Sequence, residues 1–222
     1  MHRMTDASRK IPTHEVTYAR LRDMVLFGEL EPGQPVTILG LIGDMSAGMT
    51  PVREAIRRLC SQGALNLQGN RRICVPKLSL EALDQLAFAR LQLEPHLALI
   101  SANRLNHKTL EAMQESDARL NLAIAQGDVR AYLALNYEFH FALYRAAGAP
   151  ILLDIAQSLW LRFGPSLRVV CAQYGRGGLP DRHRDVLNAA EMGDGAALAQ
   201  AVSADVAQGI DQVRLALRSQ AV

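Results

Sequence analysis

Hydrophobic residues recur at helical spacing along most of the chain, and the pattern changes near residue 78. Beyond that point apolar positions return every three or four residues, which predicts helices. The predicted helices cover roughly residues 79–103, 107–126, 128–147, 150–174, 181–192 and 195–219. Glycines and prolines mark the breaks, and Pro95 is expected to interrupt the first helix. No strand-like alternation occurs in this part, so it predicts an all-α bundle of six or seven helices.

The N-terminal part predicts a different arrangement. A first helix is followed by residues 36–45, where β-branched residues and glycines leave the choice between strand and helix open. A second clear helix is predicted with Thr50 as its N-cap and Pro51 at its first position. Alternating residues then flank a Gly69-Asn70 turn, which is typical of a β-hairpin. Short helices followed by a hairpin predict a winged helix-turn-helix, so the chain as a whole is expected to be mainly α.

Composition narrows the class of protein. The 222 residues are 49% apolar and 21% charged, which is ordinary for a globular protein. No apolar run is long enough for a transmembrane helix, and the first ten residues lack the apolar core of a signal peptide. Three widely spaced cysteines indicate neither a disulfide framework nor a cysteine-rich zinc module. We therefore expect a cytoplasmic protein with no membrane partner.

Positive charge is concentrated in the first third of the chain. Residues 1–78 carry 11 Lys and Arg against 7 Asp and Glu, whereas residues 79–222 carry 13 against 15. A basic segment joined to a nearly neutral remainder is typical of proteins that bind a polyanion. Aromatic residues make up only 5% of the chain, which argues against the base stacking that single-strand binders use. The expected partner is double-stranded DNA.

The residues expected to contact DNA lie on the proline-containing helix and at the hairpin. Arg53 is the best base reader, because a guanidinium donates two hydrogen bonds to guanine, and the other residues would contact phosphates or the minor groove. The full set is Thr50, Arg53, Arg57, Arg58, Arg71 and Arg72. The alternative is that these arginines form only a solvated helix face and a charged turn.

The strings GELEPGQPV, TPVREAIRRL, GAL and NRR, in that order, closely resemble the DNA-binding domain of the GntR family of bacterial transcription regulators. The resemblance covers about residues 12–76 and implies that the helix beginning near Thr50 is the recognition helix. Two positions depart from the family pattern. Residues 36–45 lack the arginine usual in the second helix, and Met49 stands where an arginine often precedes Thr-Pro. No operator sequence is therefore carried over from the family.

Polar residues interrupt the apolar faces of the C-terminal helices. Asn136 and His140 are four residues apart and share one helix face. His183 and Asp205 lie on the last two helices, and antiparallel packing of those helices would bring all four side chains together. Imidazole nitrogens with a carboxylate oxygen suit a borderline divalent metal that keeps open positions. The alternative is that the histidines are isolated and simply hydrogen-bonded.

Residues 79–218 resemble the FCD ligand-binding domain of the FadR subfamily within GntR. The similar features are Arg90 with Glu94, the Asn136/His140 pair and the HR–VLNAA–GD string that begins at His183. The resemblance implies a metal site of Asn136, His140, His183 and Asp205, with Asp205 standing where histidine is usual. Zinc, nickel and manganese are the candidate ions. It also implies a small organic acid as effector, for which Arg90 and, less strongly, Arg168 are the candidate ligands.

These observations lead to a ligand-responsive transcription regulator of two domains, residues 1–78 and 79–222. We expect a homodimer on a palindromic operator, because one recognition helix specifies only a short site. Repression relieved by the effector is the expected mode. Two alternatives stay open: a metal-dependent hydrolase that uses His140, His183 and Asp205, and a helical interaction protein with no effector. No nucleotide-binding loop, serine-hydrolase elbow or zinc-protease motif is present, so we do not expect an enzyme.

Overall fold

The computed structural model describes residues 13–68, 72–169 and 182–219. Its N-terminal part contains three helices and a three-stranded antiparallel sheet with strand order β1-β3-β2. The elements are α1 (Thr13–Leu26), β1 (Val36–Thr37), α2 (Ile38–Met45), α3 (Met49–Ser61), β2 (Asn66–Gln68) and β3 (Arg72–Cys74). This is the predicted helix-turn-helix with a hairpin. The predicted turn at Gly69-Asn70, together with Arg71, lies outside the described residues.

The ambiguous stretch of residues 36–45 forms both of its candidate structures in succession. Two residues pair as β1 with β3, with Val36 opposite Ile73. Thr37 then ends the strand and caps α2, because its hydroxyl accepts a hydrogen bond from the Gly40 N–H at 3.0 Å. The cap explains why a helix follows despite the glycines.

The prediction of Thr50 as N-cap is wrong by two residues. α3 begins at Met49 with Gly48 as its N-cap, so Thr50 and Pro51 lie inside the first turn. The Val52 N–H donates to the Gly48 carbonyl at 3.3 Å, which closes the first helical turn. Pro51 is tolerated there because N–H groups of the first turn have no partner within the helix.

The C-terminal part is a bundle of six α-helices within the described residues, as predicted. They are α4 (Leu80–Ser101), α5 (His107–Gln126), α6 (Val129–Ala146), α7 (Pro150–Phe163), α8 (Arg182–Met192) and α9 (Gly195–Ser219). Side chains of Ser79, Asn106 and Asp128 cap α4, α5 and α6 respectively. Among the described residues, no helix has the length and apolar character needed to cross a membrane.

Two details of the helices differ from the predictions. Pro95 lies inside α4 without interrupting it, and the next turn is anchored by Leu97 and Ala98, both fully buried. Burial of that turn offsets the one backbone hydrogen bond that proline removes. The helix predicted over residues 150–174 ends at Phe163, and a 3₁₀ turn (Gly164–Leu167) follows. Residues 170–174 lie outside the described residues.

The two parts meet along α6, α7 and the segment that follows α7. Glu29 accepts hydrogen bonds from Arg130, and the Arg162 Nε donates to the Gln62 carbonyl at 2.8 Å. Because Gln62 is the C-cap of α3, the helix expected to read DNA is held directly by the bundle.

Candidate metal centre and nucleic-acid interface

A cavity of about 210 Å³ lies inside the C-terminal bundle, and all six helices contribute to its wall. Its volume is below the roughly 300–1,000 Å³ of most ligand pockets, so it suits a small molecule. Apolar walls come from residues such as Trp160, Phe163 and Leu167. The acidic, basic and amide side chains on the wall are Arg90, Asp117, Asn121, Asn136, His140, Arg182, His183, Asp205 and Gln208.

Three of the predicted metal ligands converge in this cavity. His140 Nε2 lies 3.1 Å from Asp205 Oδ2, and His183 Nε2 lies 3.9 Å from Asp205 Oδ1. One ligand atom from each of the three residues falls within 4.8 Å of the other two. Helices α6, α8 and α9 therefore meet at this cavity. Asn136, one turn before His140, is 7% exposed and also lines the cavity.

Hydrogen bonds behind the histidines turn both Nε2 atoms toward Asp205. The Tyr144 hydroxyl donates to Glu94 at 2.7 Å, so its oxygen is left to accept a hydrogen bond from His140 Nδ1 at 3.1 Å. His183 Nδ1 lies 3.0 Å from Asp117 Oδ1, and a carboxylate can only accept. With Nδ1 protonated, each ring can offer its Nε2 lone pair to a metal ion; without an ion, His140 Nε2 is the group that donates to Asp205. Such outer partners are what orient histidine ligands in metalloproteins.

The charge state of the cluster suits cation binding. Burial alone would raise the pKa of the Asp205 carboxyl, but the His140 charge and hydrogen bond, with His183 and Arg90 nearby, bring that pKa below its ordinary value. Burial, followed by the Glu94 charge, raises the pKa of the Tyr144 hydroxyl well above its ordinary value. Asp205 therefore offers an anionic oxygen to the cavity, and Tyr144 remains a proton donor. Two imidazole nitrogens and one carboxylate fit a borderline divalent ion.

The two candidate effector arginines lie in different places. Arg90 is 2% exposed and lines the cavity. Its Nε donates to Glu94 at 2.5 Å and its Nη2 at 3.2 Å, and its guanidinium lies 4.2 Å from the Phe163 ring centroid. Arg168 is not brought to this cavity. It pairs with Glu31 of the N-terminal part at 2.6 Å, because the 3₁₀ turn directs the preceding Leu167 to the cavity wall instead.

Sequence reasoning missed two positions that shape the site. Tyr144 lies one turn beyond His140, so helical spacing alone could have brought it under consideration. Asp117 lies on α5, far from the other ligands in sequence, and no local pattern points to it. It is found only through the packing of α5 against α8.

Residues predicted to contact DNA lie on the exposed face of α3. Thr50, Arg53 and Arg57 are exposed along it, and Arg57 is loosely paired with Glu54 at 3.3 Å. Arg58 is drawn back toward α1: it pairs with Glu15 at 3.3 Å and stacks on the Tyr18 ring at 3.7 Å.

The sheet adds a further positive charge beside this face. Arg72 is exposed on β3, opposite Thr37 and Gln68 of the flanking strands. Within the described residues, the surface expected to face DNA therefore consists of the exposed side of α3 and Arg72 of the hairpin.

Comparisons with known proteins agree with both parts of this architecture. The model of the bacterial regulatory proteins of the gntR family matches residues 13–75, and the FCD domain model matches residues 85–208. The HTH-type transcriptional regulator McbR of Escherichia coli K12 is 31% identical over 147 residues, 66% of each chain. The HTH-type transcriptional repressor RspR of the same organism is 21% identical over 210 residues, 91% of each chain.

A solved structure shows the same fold over nearly the whole chain. The structure of E. coli McbR/YncC superposes with a TM-score of 0.82 at 25% identity, covering 96% of this chain and 100% of that one. Family and relatives are DNA-binding regulators, so the hydrolase alternative has no support. With a gntR-type helix-turn-helix followed by an FCD domain, the chain belongs to the GntR family of bacterial transcription regulators.

Proposed function

We propose that this regulator is a repressor whose DNA affinity is controlled by a small carboxylate bound beside a divalent metal in the bundle cavity. The observation that carries the proposal is the convergence of His140 Nε2, His183 Nε2 and the Asp205 carboxylate at one cavity of the bundle. Zinc, nickel or manganese fits this donor set, with Asn136 as a weaker fourth partner. The bound ion supplies positive charge and open coordination positions for an anionic effector.

Arg90 is the second element of the proposed effector site. Glu94 holds its Nε and one Nη, which fixes the plane of the guanidinium at the cavity wall. A carboxylate entering the cavity is therefore met by a preoriented donor on one side and the metal on the other. Arg168, fixed to Glu31 outside the cavity, is not part of this proposal.

Helix α6 links the cavity to the DNA-binding part. Asn136 and His140 face the cavity, whereas Arg130, Leu133 and Tyr137 form a stripe on another face of the same helix. That stripe contacts residues 27–29: Tyr137 packs edge-on against Phe27, Leu133 packs against Gly28, and Arg130 binds Glu29. A shift of α6 on effector binding would move these contacts together.

Helix α7 forms a second link. Trp160 and Phe163 line the cavity, while Arg162 between them holds the C-terminal end of α3 through the Gln62 carbonyl. An effector changes DNA affinity only if it binds the DNA-competent and incompetent arrangements unequally, and these two helices give it the means to do so.

On the DNA side we propose Arg53 as the base reader, and Thr50, Arg57, Arg71 and Arg72 as phosphate or groove contacts. Arg58 belongs to the same surface as its weakest member, because Glu15 and Tyr18 compete for it. We place the domain boundary between residues 78 and 79, just before α4, and expect a cytoplasmic homodimer on a palindromic operator.

Elemental analysis and thermal shift test the proposal. Purified full-length protein should hold one zinc, nickel or manganese ion per chain, and small carboxylates should raise its melting temperature only in the metal-loaded form. His140→Ala should abolish both effects. His107→Ala is the matched control, because His107 is an exposed histidine on α5 outside the cavity. Carboxylate binding of equal strength in metal-free protein would contradict the proposal.

A further inference from the structure

An apolar side chain occupies the first position of the proposed recognition helix. Met49 begins α3 and is 42% exposed. It shares a row with two exposed arginines, Arg53 and Arg57, because the three positions are four residues apart. A large apolar residue is thus aligned with the charged residues expected to enter a DNA groove.

Packing within the domain covers only part of the Met49 side chain. The buried stripe of α3 consists of Val52, Ala55, Ile56 and Leu59, which pack into the core. Met49 lies at the solvent edge of this stripe, three residues before Val52 and seven before Ile56, and is 42% exposed. Its neighbours in the row are cationic, so the surface around it complements a polyanion.

The major groove offers one apolar feature on its base edges, the C5-methyl group of thymine. The N-terminal residues of a recognition helix are the ones that reach base edges. Met49 precedes Arg53 by four residues, about 6 Å along the helix, which corresponds to about two base pairs. A flexible, polarisable thioether side chain adapts well to such a contact.

We propose that Met49 is a specificity-determining residue that contacts a thymine methyl about two base pairs from the base pair read by Arg53. The inference rests on the proposed binding of DNA through α3 and adds the identity of one base in each half-site. Burial of a methyl-sized group is worth about 0.8 kcal/mol, so loss of the contact should weaken binding about fourfold for each thymine.

The test replaces single thymines by deoxyuridine, which removes only the methyl group. An operator is first selected from random duplexes with the full-length protein, and each thymine is then replaced in turn while affinity is followed by fluorescence anisotropy. One replacement per half-site should weaken binding by wild type about fourfold and leave Met49→Ala unaffected. Met49→Leu should retain most of the preference for thymine over deoxyuridine at that position. Met192→Ala is the matched control, because Met192 is 71% exposed on α8, outside the DNA-binding part.

The outcomes separate this inference from the function on which it rests. If a duplex is selected but no deoxyuridine replacement matters, or if the sensitive thymine stays sensitive in Met49→Ala, the role of Met49 is refuted and DNA binding stands. If no duplex is enriched at all, the proposed function and this inference fall together. Met49→Arg should move the preference at that base pair toward guanine, which further supports the assignment if observed.

Discussion

Replacing Asp117 by asparagine tests the hydrogen bond that orients His183, because it changes none of the proposed metal ligands. Asp117 accepts from His183 Nδ1 through one oxygen and from the Asn121 amide through the other, at 3.0 and 3.4 Å. Asparagine has the same shape and keeps an acceptor oxygen, so the bundle should fold normally. It removes the negative charge that makes His183 a better electron donor. Loss of such a partner typically costs 10–100-fold in metal affinity, or about 1.4–2.7 kcal/mol.

The assay is a competitive chelator titration of zinc and of manganese with wild type and Asp117→Asn. Glu115→Gln is the matched control on the same helix, since Glu115 is 73% exposed and has only a loose pairing with Arg119. The control should bind metal like wild type, and the melting temperature without metal should be the same for all three proteins. Unchanged metal affinity in Asp117→Asn would refute the claim that His183 is a ligand oriented by Asp117.

Further predictions concern the orientation of His140, the contact of Glu29 between the two parts, and the surface expected to bind DNA. Tyr144→Phe removes the hydroxyl that orients His140 and should lower metal affinity about tenfold in the same titration, with about 1–2 kcal/mol lost from the free energy of unfolding in urea. The Glu29 pKa is lowered from 4.5 mainly by the hydrogen bond from Arg20, so its contribution is complete at neutral pH and lost as pH falls through that lowered pKa. Glu29→Gln should therefore be about 1 kcal/mol less stable than wild type at pH 7, and the two should converge in urea titrations at acidic pH. Arg53→Ala should cost about 1–3 kcal/mol of affinity for the selected operator, measured by anisotropy, but little for random DNA. Arg72→Ala should weaken both equally and reduce the salt dependence of binding by about one unit of slope.

Most helix boundaries could be predicted because the signals are local. Ser79, Asn106 and Asp128 cap their helices through their own side chains, so a short stretch of sequence contains the whole interaction. Pro95 shows the limit of such signals. Its local effect is unfavourable, yet α4 continues because burial of its next turn outweighs one missing hydrogen bond.

Some residues of the candidate site could likewise be predicted from local spacing, and others depend on tertiary contacts. Asn136 and His140 could be paired from helical spacing, whereas Asp117 contributes through contact between α5 and α8 and leaves no trace in the local sequence. Arg168 is one residue beyond the cavity wall, and only the direction of the 3₁₀ turn decides that it faces Glu31. Whether Arg168 faces the cavity depends on tertiary geometry, which residue spacing in the sequence does not reveal.

The central claim is that binding of a carboxylate in the bundle cavity controls the affinity of α3 for DNA. The most direct measurement is the operator affinity of metal-loaded, full-length protein with and without the carboxylate that gives the largest thermal shift, for wild type and His183→Ala. The carboxylate should change the operator affinity of wild type at least tenfold and leave that of His183→Ala unchanged, although His183→Ala should still bind the operator. An effector response of the same size in both proteins would contradict it.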